Sequence, residues 1–192
     1  RRWGISDDAF CVLFCGKFIA KKRPMDLVEA ARLCSADGRR RRIHLLFAGS
    51  GDLGEVLRRA CNVAYDAEPS RAPASISRVG PAAAVGQPQA SFVSFLNQTE
   101  ISRAYVAADC LVLPSDQGET WGLVVNEALA SGTTAVASKS CGCAEDMLPA
   151  GNGKRTFETG NMQELADILD QVQNDLTLPA GVADVLSRHN FG

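Results

Sequence analysis

Short apolar runs constrain this chain more than any other feature. Ala9 to Cys15 contains no polar residue, Cys110 to Leu113 is of the same kind, and Ile43 to Ala48 and Thr134 to Ala137 are apolar except for His44 and Thr134. A strand with one wet face alternates apolar and polar residues, so an unbroken apolar run such as Ala9 to Cys15 reads as a strand covered on both faces. That condition is met by a parallel sheet between two helical layers.

The segments between these runs have helical spacing. Pro24 suits the first turn of a helix over Met25 to Leu33, with Leu27, Val28, Ala31 and Leu33 inward. Asp52 and Glu55 fit a capping box for a helix running to about Ala64, and Gln98 to Ala107 reads as a further helix after the strand Ser91 to Phe95. Leu123, Val124, Ala128 and Leu129 give the next helix an apolar face, with Gly132 as its C-cap. A helical turn over Cys143 to Leu148, a tight turn at Gly151-Asn152-Gly153, an edge strand over Arg155 to Phe157 and a helix over Met162 to Gln173 follow, the last with Leu165, Ile168, Leu169 and Val172 inward.

Strands alternating with helices in this way predict an α/β fold with a doubly wound, mostly parallel, six-stranded Rossmann-like sheet and ligands at its carboxyl edge. The expected organisation is a single domain over 1–192, with 1–8 as linker, 66–89 as a flexible insertion rich in proline, alanine and serine, and 174–192 as a tail carrying one more helix around Ala180 to Ser187.

At 192 residues and 46% apolar, the chain can bury a full core, and a net charge of −2 gives no general attraction to nucleic acid or anionic lipid. Arg39 to Arg42 read as a solvated loop before a strand. The seven cysteines are odd in number and several lie in apolar strands, which predicts free thiols in a reducing, cytoplasmic compartment. Cys141-Gly142-Cys143 lacks the two-residue gap of a zinc or redox pair, so no metal site is expected. There is no apolar run long enough to span a membrane, and no signal peptide opens the sequence.

The chemistry concentrates where Asp109 to Ser115 runs into Gly118 to Gly132. Glu119 precedes the helix and Glu127 lies near its second turn, with seven residues between them. A helix start presents unpaired N–H groups and partial positive charge, which suits an anion, and Gly122 would let it approach the backbone. Carboxylates flanking an anion are better suited to accept hydrogen bonds from hydroxyls. Hydroxyls, phosphates and hydroxyls in that order describe a sugar nucleotide. A second anion site is suggested by Gly16, Lys17 and Lys22 after the first strand, and Leu96 and Asn97 leave the same edge. Against this stands Gly49-x-Gly51-x-x-Gly54, which is formally complete as a dinucleotide motif but is followed by the polar stretch 66–89 instead of a second strand with a ribose-binding acid.

Several ordered motifs together resemble the C-terminal, donor-binding half of a retaining GT-B glycosyltransferase of family 4, the group 1 glycosyl transferases. They are Gly16-Lys17-Phe18-Ile19, Lys22-Arg23-Pro24-Met25-Asp26-Leu27, Phe47-Ala48-Gly49-Ser50-Gly51, Phe92 to Asn97, Ala107 to Ser115 and Gly118 to Ala128. The resemblance implies that Lys17 and Lys22 hold the donor diphosphate and that Glu119 accepts hydrogen bonds from the transferred sugar. It also implies that backbone groups around Trp121, Gly122 and Leu123 face sugar and phosphate, that Glu127 binds the ribose hydroxyls and that the backbone at Leu96 meets the base. The implied enzyme is a hexosyltransferase taking UDP- or GDP-sugars without metal or other cofactor, in keeping with the lack of an Asp-x-Asp pair. Its N-terminal acceptor domain, through which peripheral membrane contact would come, is missing from this stretch, so the isolated domain is expected to transfer weakly or not at all. The alternatives are a non-catalytic nucleotide-sugar sensor or partner-binding module and a nicotinamide-binding domain.

Overall fold

A computed structural model describes residues 3–34, 42–67, 86–148 and 153–175. Within them lie seven parallel strands, β1 (Phe10–Cys15), β2 (Ile43–Ala48), β3 (Asn62–Asp66), β4 (Gln89–Val93), β5 (Cys110–Leu113), β6 (Thr134–Ser138) and β7 (Thr156–Phe157), in the spatial order β3-β4-β2-β1-β5-β6-β7. The helices are α1 (Pro24–Cys34), α2 (Gly54–Ala60), α3 (Gln98–Ala107), α4 (Leu123–Ala130), α5 (Ala144–Met147) and α6 (Met162–Asp175). The order reverses at β1: the chain first builds outward through β2, then returns to lay β5 on the opposite side. The crevice of a doubly wound sheet opens at such a reversal.

Alternate residues of β1 point to opposite faces, and both faces are covered. Phe10, Val12 and Phe14 join the core beneath α1, α2 and α6, whereas Cys11 and Leu13 join the core beneath α3, α4 and α5. Trp3 and Ile5, in the segment expected to be a linker, are buried in this second core, and the Trp3 carbonyl accepts a hydrogen bond of 2.7 Å from Ser91 Oγ.

The sheet has seven strands where six were expected, because α2 stops at Ala60 and Asn62–Asp66 forms an edge strand. The edge leaves Val63, Ala64 and Tyr65 exposed, so this strand has no buried apolar run to mark it. The capping box does not form. Leu53 is the N-cap with no side-chain hydrogen bond, and the loop is held instead by Leu53 N–H to the Phe18 carbonyl, 2.9 Å. Two residues placed on inner helix faces are exposed, Leu33 at 44% and Leu123 at 67%, their places being taken by Ala30 and Val125. Gly132 does end α4: its N–H reaches the Leu129 carbonyl and Thr133 N–H that of Ala128, a Schellman arrangement. Of the predicted insertion, 68–85 lie outside the described residues, as do Gly151 and Asn152 of the predicted turn and 176–192 of the tail, including its helix.

The loop after β1 is pinned by Phe18. This side chain is buried against Phe14, Phe47 and Phe92, with ring centroids 6.0 to 6.4 Å away. Its backbone fits against the loop after β2, where a Cβ on Gly49 would lie 2.0 Å from the Gly16 carbonyl oxygen and one on Gly51 would lie 2.6 Å from that of Phe18. Gly49 also has φ +144°. The Gly49, Gly51, Gly54 pattern therefore serves close packing within the protein, and it follows β2 instead of the strand at the reversal.

Phe18→Ala is expected to lower unfolding free energy by about 3–5 kcal/mol in urea titration, the usual cost of emptying a buried phenylalanine site. A loss under about 1 kcal/mol would remove Phe18 as the anchor. Gly49→Ala is expected to cost about 2 kcal/mol or more from strain and steric overlap, and an unchanged urea midpoint would refute the close approach.

Candidate functional site

All strands being parallel, the loops after β1, β2, β4, β5 and β6 leave one edge. Those after β1 and β5 flank the reversal and touch. Asp116 N–H donates to the Lys21 carbonyl at 2.9 Å, and Lys22 Nζ forms an ion pair with Glu119 Oε2. These two side chains are 23% and 15% exposed, so water screens the pair less than a surface contact. Ser115 Oγ donates to the same oxygen at 3.3 Å. The Oε1 atom of Glu119 accepts no hydrogen bond among the described residues.

Gly122 sits at the N-cap of α4 with φ +96°, and a Cβ there would lie 2.6 Å from Leu113 Cδ2 and 3.1 Å from Cys143 Sγ. Glycine is needed here for its left-handed backbone and for packing on β5, independently of any ligand. The α4 start is also buttressed from the β6 side: Cys143 N–H donates to the Trp121 carbonyl at 2.9 Å, and Gly142 passes so close that a Cβ would lie 2.1 Å from the Thr120 oxygen. Trp121 is half-buried with Nε1 donating to Asn126 Oδ1 at 3.2 Å, while Leu123 is exposed at the first helical position. The N–H groups of Leu123 and Val124 thus stand at the edge without an intrahelical partner, while that of Val125 donates to the Gly122 carbonyl at 2.9 Å.

Glu127 lies one turn further along α4. Its Oε2 accepts a 2.6 Å hydrogen bond from the hydroxyl of buried Tyr105 on α3. Cys15, at the end of β1, adjoins Tyr105, and burial followed by the charge of Glu127 pushes its thiol up to about 11. Burial, the hydrogen bond to Glu127 and the neighbouring thiol push the Tyr105 phenol up as well, so it stays a donor at neutral pH. Cys141, behind Glu119, is raised by burial, and Cys143 is pushed to about 12 chiefly by burial.

Lys22 and Glu119 are therefore in contact, and Cys15 lies within the field of both Lys22 and Glu127, which places Gly16 and these three charges around the carboxyl end of β1. Lys17 is exposed on the same loop and makes no ion pair among the described residues. Leu96, after β4, is half-buried with its side chain on the α3–α4 core. Among the described residues no three histidine, cysteine or acidic side chains cluster as metal ligands, no helix is long and apolar enough to cross a membrane, and the seven cysteines are free. Sequence reading missed Tyr105, Ser115 and Cys15. A tyrosine on an apolar helix face is itself a signal, since a buried phenol seeks a partner.

A model of the family described as Glycosyl transferases group 1 matches residues 9–175. D-inositol 3-phosphate glycosyltransferase 2 of Catenulispora acidiphila is 32% identical over 182 residues, which are 94% of this chain and 38% of that protein's length. The catalytic domain of cholesterol-α-glucosyltransferase from Helicobacter pylori has a similar structure, with a TM-score of 0.67 at 16% identity over 93% of this chain and 98% of the other. HepE of Anabaena, in complex with UDP-glucose, gives a TM-score of 0.66 at 21% identity over 94% of this chain and 45% of HepE. The chain belongs to the glycosyl transferases group 1 family and has the Rossmann-like fold of a GT-B glycosyltransferase domain.

Proposed function

We propose that this chain holds a nucleoside-diphosphate sugar at the carboxyl edge between β1 and β5, as the donor half of a retaining, metal-independent hexosyltransferase of family 4. The observation that carries the reading is the meeting of Lys22 and Glu119 at the sheet reversal, beside the start of α4. An ammonium and a row of backbone N–H groups suit a diphosphate, and the carboxylate next to them suits a sugar hydroxyl. HepE, of like fold, was solved with UDP-glucose and with UDP, which agrees with this ligand class.

In this scheme Lys17, Lys22 and the α4 start stabilise charge on the diphosphate as the sugar–phosphate bond breaks, which lowers the barrier by electrostatic preorganisation. Glu119 holds the sugar, Glu127 the ribose, and backbone near Leu96 the base. The acceptor comes from a second domain, the chain spanning 38% of its relative from Catenulispora, so the isolated domain binds donor and transfers weakly or not at all. A cytoplasmic location, with membrane contact made through the rest of the enzyme, completes the proposal.

Calorimetric titration with UDP, GDP and NADH should detect binding of a nucleoside diphosphate. Tight NADH binding without either diphosphate would replace this reading by a nicotinamide one. Lys22→Ala should weaken diphosphate binding by about 1–3 kcal/mol, the scale of a charge-assisted hydrogen bond. Unaltered affinity would move the diphosphate elsewhere. Glu119→Gln should narrow the gap in affinity between UDP-sugar and UDP, or the corresponding GDP pair, and an unchanged gap would remove Glu119 from the sugar.

A further inference from the structure

Glu127 poses a difficulty for the reading above. It is an exposed residue on a helix surface, and an exposed carboxylate samples several rotamers. Ordering such a side chain when a ligand arrives reduces affinity by roughly two- to tenfold.

Tyr105 removes that cost. Its side chain is 1% exposed and packed in the core beneath α3 and α4, so the ring cannot follow a moving partner. Its backbone carbonyl is also fixed, accepting 2.8 Å from Thr133 Oγ1. From this fixed position the hydroxyl donates 2.6 Å to Glu127 Oε2, while Glu127 Oε1 accepts no hydrogen bond among the described residues. The carboxylate is thereby divided into a held oxygen and a presented one. The thiol of Cys15 beside them is held neutral by burial, so no second negative charge displaces the carboxylate. Glu127 stands four residues beyond Leu123, about 6 Å along the α4 axis, which is the scale separating a nucleotide's phosphate from its sugar hydroxyls.

We propose that Tyr105 is the positioning residue of a ribose subsite, its hydroxyl locking Glu127 so that the carboxylate grips the 2′,3′-diol of a nucleoside diphosphate. The inference rests on the donor reading above and adds to it a residue and a selectivity, for ribonucleotides over nucleotides that lack the diol.

The test is calorimetric titration of the whole chain with UDP and GDP and with the 2′,3′-dideoxy form of each. The unsubstituted chain should prefer the ribonucleotide it binds, and Tyr105→Phe should weaken that ribonucleotide about fivefold while leaving the dideoxy form within twofold. In a Glu127→Gln background, adding Tyr105→Phe should produce no further loss, since the hydroxyl acts through the carboxylate. If Tyr105→Phe weakens both forms equally, or neither, Tyr105 is not a positioning residue and the donor site stands without it. If Tyr105→Phe does not fold, Glu127→Gln alone decides: retained preference for the diol overturns the subsite, and lost preference supports it. Failure of the unsubstituted chain to bind either diphosphate overturns the donor reading and this inference with it.

Discussion

The placement of the charged residues depends on one buried aromatic ring. Phe18 leaves β1 and turns back into the core between Phe14, Phe47 and Phe92, and the glycines after β2 leave room for its backbone. The loop that follows is short and polar and would otherwise have many conformations open to it. With Phe18 docked, the turn Ala20–Lys22 and the left-handed Arg23 feed directly into α1, and Lys22 is delivered to the β5 side of the crevice. Apolar burial is thus the means by which a cation is positioned.

The same economy recurs on the other wall. Glu119 and Glu127 are each tied through one oxygen, to Lys22 with Ser115 in the first case and to Tyr105 in the second. The supporting groups come from three elements, the β1 and β5 loops and α3, so the two carboxylates, one before α4 and one on it, are held by the surrounding fold. The glycines at 122 and 142 allow the α4 start to lie against β5 and the loop after β6, which stiffens that end of the helix. Such preorganisation is what distinguishes a binding wall from a set of surface charges.

The doubly wound sheet was legible because its central strands are covered on both faces and therefore carry runs such as Phe10 to Phe14 without a polar interruption. β3 was not legible, since Asn62–Asp66 sits at an edge and shows neither a buried run nor a clear alternation. Gly49, Gly51 and Gly54 matched a ligand motif in spelling, yet the space they vacate is taken by Gly16, Phe18 and Arg58, a fact that only the fold can supply. Lys22 and Glu119 could be named from the family pattern, but their contact spans 97 positions of sequence and follows from strand order. Tyr105 escaped notice because its spacing makes it one more apolar residue of α3; its importance lies in the one polar atom at the ring's end.

Strand order also has a consequence during synthesis. The centre of the sheet joins β1 to β5, a seam marked by Cys11 N–H on Asp109 Oδ2 across 98 positions. A ribosome adding about 5–20 residues per second needs roughly 5 to 20 s to traverse that interval. For that time β1 can pair with β2, and β2 with β4, but the other flank of β1 has no neighbour. The half of the molecule that carries the phenylalanines can assemble early, whereas the crevice comes into being only when the later half emerges and closes the seam.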